Sequence, residues 1–331
     1  MHCSHSVQQH TRYAGLDVDA DGCYAVTDGS AKARRFDATP DGAAALAAWL
    51  RNQAGGAETV AVMEHTGPYS HSWQALLEAQ QVQSALVDAK RVRSFAVACG
   101  VRTKTDSADA AAILAYARQF QPRPRARRSL AEWRLSGLLR QRGLLVGQRA
   151  SLKVQVRTLE QLPGIAPGDL DSAQAIVQTL DQAIAVIETR ITGLLRQDPG
   201  LRRATQILDS LPGIGPVTNR HICSRLSVLT DCNANQATAL CGLSARHNQS
   251  GNRQGKSRID KQGWDDLRCC LYMGAQAAAR HSPVFKALFD RLRANGKPYR
   301  VAIIAVARKL LITAHSLLRK GELFDPNYQT A

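Results

Sequence analysis

RYAGLDVDADGCYAVTDG, residues 12–29, sets how the chain begins to fold. RYAGLDV (12–18) and CYAVTDG (23–29) are short runs of strand-forming residues. Asp21-Gly22 and Asp28-Gly29 are turn pairs that separate them from each other and from AKARRFDA (31–38), so the pattern predicts a three-stranded meander. Asp17 sits inside the first apolar run. A lone carboxylate is costly to bury, so Asp17 calls for partners from elsewhere in the chain. DGAAALAAWLRNQ (41–53) reads as a helix, and ETVAVME (58–64) as a buried parallel strand ending on a second acid, Glu64. A helix at 71–80, a strand at 84–89 and helices at 90–100 and 107–120 complete this part.

The 331 residues suggest two or three domains. At 44% hydrophobic and 21% charged, the chain can bury real cores, which excludes a disordered polymer. Lys and Arg number 43 against 27 Asp and Glu, a formal charge of +16. That surplus favours a polyanionic partner, nucleic acid or an anionic membrane. The most apolar stretch, VAIIAVARKLLITAHSLL (301–318), is interrupted by Arg308 and Lys309 and falls short of the roughly 18 uncharged residues of a spanning helix. MHCSHSVQQHTRY at the start has no apolar core of a signal peptide. The expectation is a cytoplasmic protein with no membrane partner. Eight scattered cysteines without a C-x-x-C pair fit neither a disulfide framework nor a zinc site.

KTDSADA (104–110) places Asp106 and Asp109 three apart, on one face of a helix. Taken alone, they are ordinary acids at a helix N-terminus, favoured by its dipole. Asp17 and Glu64 change the weighing. Three strands, helix, strand, helix, strand, helix is the order of an RNase H-like domain, where the first strand and the later parallel strand are neighbours and a final helix packs across their ends. Asp17, Glu64, Asp106 and Asp109 would then converge, and four carboxylates repel one another unless cations lie between them. Hard oxygen donors select Mg²⁺ or Mn²⁺. Two such ions about 3.5–4 Å apart clamp a phosphodiester from both sides.

After Phe120 the composition shifts. Residues 118–157 hold eleven Lys and Arg against one acid, Glu132, a net charge of +10. QPRPRARR, with Arg125, Arg127 and Arg128, reads as a hinge. Leu138, Leu145, Leu152 and Leu159 recur every seventh residue, and Val177, Leu180, Ile184, Ile187, Ile191 and Leu194 follow in steps of three and four. Two helices separated by LPGIAPGD (162–169) follow from this, either a projecting coiled-coil arm or an amphipathic pair packed on its own domain. LPGIGPVT (211–218) has the form of a helix-hairpin-helix turn, in which Gly213 and Gly215 would let a phosphate approach the backbone. Residues 244–263 carry Arg246, Arg253, Lys256, Arg258 and Lys261 with one acid, Asp260, the composition of a phosphate-contacting loop. Its serines, Ser244, Ser250 and Ser257, are on composition alone ordinary solvated hydroxyls.

GLDVDADG (15–22), VMEHTGPYS (62–70) and KTDSADA, in that order, resemble the N-terminal domain of the DEDD insertion-sequence transposases, a family that includes Piv-type site-specific invertases and bridge-RNA-guided recombinases. LPGIGPVT, CGLSARHNQSGNRQGKSRIDKQGWDDLR (241–268) and GKPYRVAIIAVARKLL (296–311) look like its C-terminal transposase domain. The resemblance implies a RuvC-like domain of the RNase H class at 11–122, a basic helical coiled-coil arm at 123–205 and a mainly helical transposase domain with the helix-hairpin-helix at 206–325, flanked by tails at 1–10 and 326–331. It implies Asp17, Glu64, Asp106 and Asp109 as a metal-binding acidic tetrad and Ser250 as the nucleophile. Lys104, Arg268 and the basic residues named above are then expected against nucleic acid. It further implies DNA strand cleavage and rejoining through a phosphoserine link, Mg²⁺ or Mn²⁺ as cofactor, a structured guide RNA, and a homodimer assembling to a tetramer to hold four DNA ends. Ala245, where the family commonly has proline, and Trp264, where it has asparagine, depart from the pattern near the loop. A metal-dependent junction-resolvase-like nuclease using water is the alternative, with Ser250 a bystander. An idle nucleic-acid binder and a basic scaffold without enzymatic role are the remaining rivals.

Overall fold

The computed structural model describes residues 12–30, 32–54, 58–65, 67–101, 105–124, 126–166, 168–246, 249–250, 253–254 and 258–326. The expected tail at 1–10 lies outside them, as does most of the tail at 326–331. The chain divides into two units, Met1–Arg128 and Ser129–Ala331.

In the first unit, β1 (Arg12–Val18), β2 (Gly22–Thr27) and β3 (Arg34–Asp37) form the expected antiparallel meander. Asp19 fixes the first turn, its carboxylate accepting the backbone N–H of Asp21 and Gly22 at 2.7 and 2.6 Å. After α1 (Pro40–Ala54), β4 (Thr59–Glu64) inserts parallel to β1. After α2 (Pro68–Ala79), β5 (Gln83–Val87) adds parallel to β4. The five-stranded mixed sheet runs β3-β2-β1-β4-β5. Side chains alternate across it. Ala14, Leu16, Val18, Ala61 and Met63 share one core with Leu46, Trp73 and Leu77 of α1 and α2. Val60 and Val62 face the other way, against Val92 of α3 (Ala89–Ala98) and Ile113, Tyr116 and Ala117 of α4 (Asp106–Phe120).

Gly15 decides how close α4 comes. A Cβ there would stand 2.2 Å from the Ala110 carbonyl oxygen and 2.5 Å from the Leu114 nitrogen. Only glycine lets the helix rest its backbone on β1. Thr105 caps α4, its hydroxyl accepting from the Ala108 N–H, so the helix starts at Asp106.

In the second unit, α5 (Leu130–Leu159) and α6 (Asp171–Gln197) form an antiparallel hairpin. The seam of α5 differs from the leucine heptad. Its line against α6 runs Leu135, Leu139, Arg142, Arg149, Val156, in steps of four, three and seven. Arg142 pairs with Glu188, and Arg149 with Asp181 at 2.5 Å, with Lys153 also at 3.4 Å. Leu138 and Leu145 flank this line against the unit's core, whereas Leu159 is exposed. The cause is α6, which offers acids seven residues apart, so two charge layers set the register. The hairpin base is continuous with the core of α7 (Pro199–Asp209), α8 (Pro216–Cys223), α9 (Leu226–Asp231), α10 (Ala234–Leu240), α11 (Asp265–His281), α12 (Pro283–Ala294) and α13 (Tyr299–Lys320). The division expected at 205/206 therefore falls inside α7. Among the described residues α13 is long and apolar enough to cross a bilayer, yet Ile303, Val306, Leu310 and Leu311 are spent in this core.

Glu132, the one acid of the basic segment, is 2% exposed. It completes a capping box with Ser129 and accepts the Ser227 N–H at 2.6 Å and its hydroxyl at 2.5 Å, joining the starts of α5 and α9.

Two substitutions test these contacts. Gly15→Ala should cost about 1–3 kcal/mol in urea unfolding, because the inserted methyl must push α4 off β1; unchanged stability would mean that the close approach is dispensable. Glu132→Ala should cost about 3 kcal/mol or more by leaving buried donors unsatisfied, with Glu132→Gln costing less.

Candidate active site

Asp17 follows Gly15 by two residues, so it projects from the α4 face of the sheet. The β1–β4 pairing runs to Leu16 opposite Met63, and one step further come Asp17 and Glu64, side by side at the carboxyl edge. Because α4 is seated on Gly15, its first turn overhangs the same edge with Asp106 exposed and Asp109 half-buried. The four acids feel one another. Asp17 is pushed up to about 6, first by burial and then by the charges of Asp109 and Asp106. Glu64 is pushed up to about 7 by burial, Asp17 and Asp109, with Arg93 easing it.

The carboxylates are neighbours but not closed on one point: among the described residues no three acidic, histidine or cysteine side chains stand close enough to share an ion as placed. The donor chemistry nevertheless fits a hard divalent cation, all ligands being carboxylate oxygens. Asp88 and Arg93 also bear on Glu64 and were passed over in the sequence. Asp88 ends the strand run at β5 and caps α3, accepting the Arg91 N–H; its place beside Glu64 follows only from the strand order. His65, next after Glu64, and His71 of α2 have edge-to-face rings 5.1 Å apart.

In the second unit, the basic loop is stitched at its base. β6 (Ala245–Arg246) pairs with β9 (Arg258–Ile259), and β7 (Gln249–Ser250) with β8 (Arg253–Gln254), Ser250 opposite Arg253. Gly242 and Gly263, both at positive φ, let residues 239–242 and 260–263 cross closely; a Cβ on either would fall within 2.3 Å of backbone oxygen. Arg268 donates to the Cys241 carbonyl at 3.1 Å and so braces the loop base. Asp266 anchors the start of α11: Arg225 donates to it at 2.6 Å, and His221 Nδ1 lies 3.0 Å away, off the line of a hydrogen bond. Burial alone would raise Asp266, but His221 and Arg225 hold its carboxyl well below the usual range. Arg225 also stacks on Trp264, 5.2 Å from the ring centre, which gives the unexpected tryptophan a role.

Arg258 and Lys261 are exposed, Lys261 at φ 59°. Gly213 owes its identity to packing: at φ 96°, its Cβ would meet Ala278 and the Gly274 carbonyl of α11. Gly215 is exposed with open space before α8, the position suited to an anion. Lys104, Arg125 and Lys256 lie outside the described residues, as do the side chains of Arg246, Ser250 and Arg253. Arg127 donates to the Gln81 carbonyl at 2.6 Å and the Arg128 N–H to Glu78, so the expected hinge is fastened to the first unit. Arg118 is engaged by Asp28, and Arg142 and Arg149 by α6. Arg134, Arg140 and Arg157 are exposed on α5.

An acidic sheet edge overhung by an acid-bearing helix is thus joined in one chain to a helical unit with a basic loop. A family model of IS110-type DEDD transposases matches residues 14–167, and one described as the IS116/IS110/IS902 transposase family matches 205–290. The chain belongs to this family and is a transposase/recombinase, an enzyme that cleaves and rejoins DNA. Its DEDD domain implies dependence on a divalent metal. Pilin gene-inverting proteins of Moraxella lacunata and Moraxella bovis are 26% and 25% identical, over 95% of this chain and 97% of each relative. The transposase of insertion sequence element IS1111A from Coxiella burnetii is 25% identical over 80% of this chain and 78% of its own.

The raised carboxyls set a pH signature. Between the ordinary 3.8 and 4.5 and the raised values near 6 and 7, the folded chain keeps protons that the unfolded chain has lost. The pair therefore favours folding at low pH and loses that contribution as pH rises through 7. Glu64→Gln should stabilise the metal-free protein at pH 8 by about 1 kcal/mol after solvent screening, with no gain at pH 4. Equal urea midpoints at pH 8 would show that burial and its acidic neighbours together do not raise Glu64.

Proposed function

We propose that this chain recombines DNA through a two-part active site, an acidic tetrad and a serine. The observation that carries the proposal is the grouping of Asp17, Glu64, Asp106 and Asp109 at one sheet edge, in the strand order expected of an RNase H-like, RuvC-like domain. Divalent ions, with Mg²⁺ the expected species, would be held by these four carboxylates and would neutralise charge on the scissile phosphate. Asp17 and Glu64 come from rigid strands and Asp106 and Asp109 from a capped helix, so the scaffold fixes where that phosphate sits.

Ser250 is the nucleophile. Its Oγ gives up its proton and bonds to phosphorus, the phosphorus–oxygen bond to the leaving strand breaks, and that strand departs with a free hydroxyl. The phosphoserine ester retains the bond energy, so a hydroxyl from another strand can reverse the step on a new partner. This is what rejoining requires and simple hydrolysis lacks. Arg253, paired with Ser250, and the exposed Arg258 and Lys261 would balance charge at the phosphate.

Gly215 and the N-terminus of α8 suit a DNA backbone phosphate. Exposed Arg134, Arg140 and Arg157 suit the backbone of a structured guide RNA. Four DNA ends call for a dimer of dimers, and the work is cytoplasmic.

Incubation with Mg²⁺, the element's DNA ends and its RNA should give a protein–DNA adduct that survives denaturation and disappears in Ser250→Ala and Glu64→Gln. Strand cleavage without an adduct, retained in Ser250→Ala, would instead establish a hydrolytic nuclease of the junction-resolvase kind.

A further inference from the structure

The acidic edge has a basic neighbour that the tetrad does not use. Helix α3 begins directly after β5, where Asp88 is consumed as its N-cap. Lys90, Arg91 and Arg93 follow within its first turn and a half, all exposed. Val92 is buried between them and holds the helix down on the sheet. With Val92 facing inward, Lys90 points outward, and Arg91 and Arg93 project to either side. None of the three side chains makes a hydrogen bond or ion pair among the described residues. No acid lies on α3. Arg93 is close enough for its charge to bear on Glu64.

We propose that the exposed face of α3, formed by Lys90, Arg91 and Arg93, binds the DNA phosphates that flank the scissile one. This rests on the function proposed above and adds the surface that brings the strand in. The physical need is plain. A DNA strand is a polyanion, and four carboxylates repel it; two divalent ions bring that edge only to neutrality. Net attraction has to come from cations beside the edge, and α3 supplies three, of which Arg93 bears directly on Glu64. Their freedom from protein partners is the second indication. Arginines that brace the fold are already engaged, as Arg118, Arg127, Arg142 and Arg149 are. Those of α3 are held out on a helix and have no partner among the described residues.

The test uses the full-length protein and a random-sequence DNA duplex. A variant carrying Lys90→Gln, Arg91→Gln and Arg93→Gln is compared with one carrying Lys32→Gln, Arg34→Gln and Arg35→Gln, which removes the same charge at β3, the opposite edge of the sheet. Circular dichroism checks that both fold. The log–log slope of affinity against salt should become shallower by about 2 to 3 in the α3 variant, near 0.9 for each phosphate lost, and remain at the wild-type value in the β3 variant. Adduct yield at Ser250 on the element's own ends should fall in the α3 variant only. If wild type is steep and the two variants are indistinguishable, this inference fails while the proposed function stands. If wild-type affinity ignores salt, both fall.

Discussion

The contact between Gly15 of β1 and the backbone of α4 at Ala110 and Leu114 is the constraint on which the first unit depends. A β-sheet and a helix usually pack with side chains between them. Here one side chain is absent, and the helix comes to rest on the strand itself. Because α4 is capped at Thr105, its seating also fixes where its first turn ends. Asp106 and Asp109 are carried to the edge where β1 and β4 finish in Asp17 and Glu64. Hydrophobic packing of Ile113 and Tyr116 therefore does mechanical work for residues several turns away. Asp17 and Glu64 oppose this arrangement, since burial and neighbouring acids both raise them. The fold holds them because apolar burial on both faces of the sheet outweighs a local electrostatic cost.

Charge is distributed with a purpose in both units. In the second, the basic hairpin is not a uniform cationic rod. Arg142 and Arg149 lie in the seam and are met by Glu188 and Asp181, and Glu188 also receives Arg220 from α8. Glu188 illustrates the balance: burial raises its carboxyl, and its two arginines more than reverse that. Ion pairs of this kind add modest stability, but they specify register, because a one-turn slip of α6 would replace the acids opposite the two arginines by uncharged residues such as Ile184 and Ile191. The basic loop shows the same economy. Arg225, Arg268 and Asp266 brace its base, which leaves Arg258 and Lys261 exposed.

Much of this was legible in the sequence, for identifiable reasons. The strand order of the first unit followed from turn pairs and apolar runs, since period-two patterning and Asp-Gly turns are local. The acids at Asp17 and Glu64 were conspicuous because charges interrupt apolar strands. The leucine heptad misled as to the seam, because spacing identifies a stripe without saying what faces it; the acids of α6 drew the arginine line inward instead. Gly213 drew notice as a phosphate contact, and its close packing against α11, which also demands glycine, was not visible in the sequence. Arg268, expected against nucleic acid, also braces the Cys241 carbonyl. Asp88 and Arg93 carried no local signal at all, since their importance comes from where the sheet puts the end of β5 and the start of α3 relative to Glu64.

The sequence by itself determined the elements, their order, the apolar faces and the chemical kinds of side chain at the sites, because those depend on neighbours a few positions away along the chain. Only the tertiary structure decided which acids meet, which arginines are spent on the fold and which remain for a ligand. Those outcomes depend on distances between residues far apart in sequence, set by the packing of α4 on β1 and of α6 on α5. Electrostatic energy falls with distance in space, not along the chain, so it becomes defined only once the packing is complete.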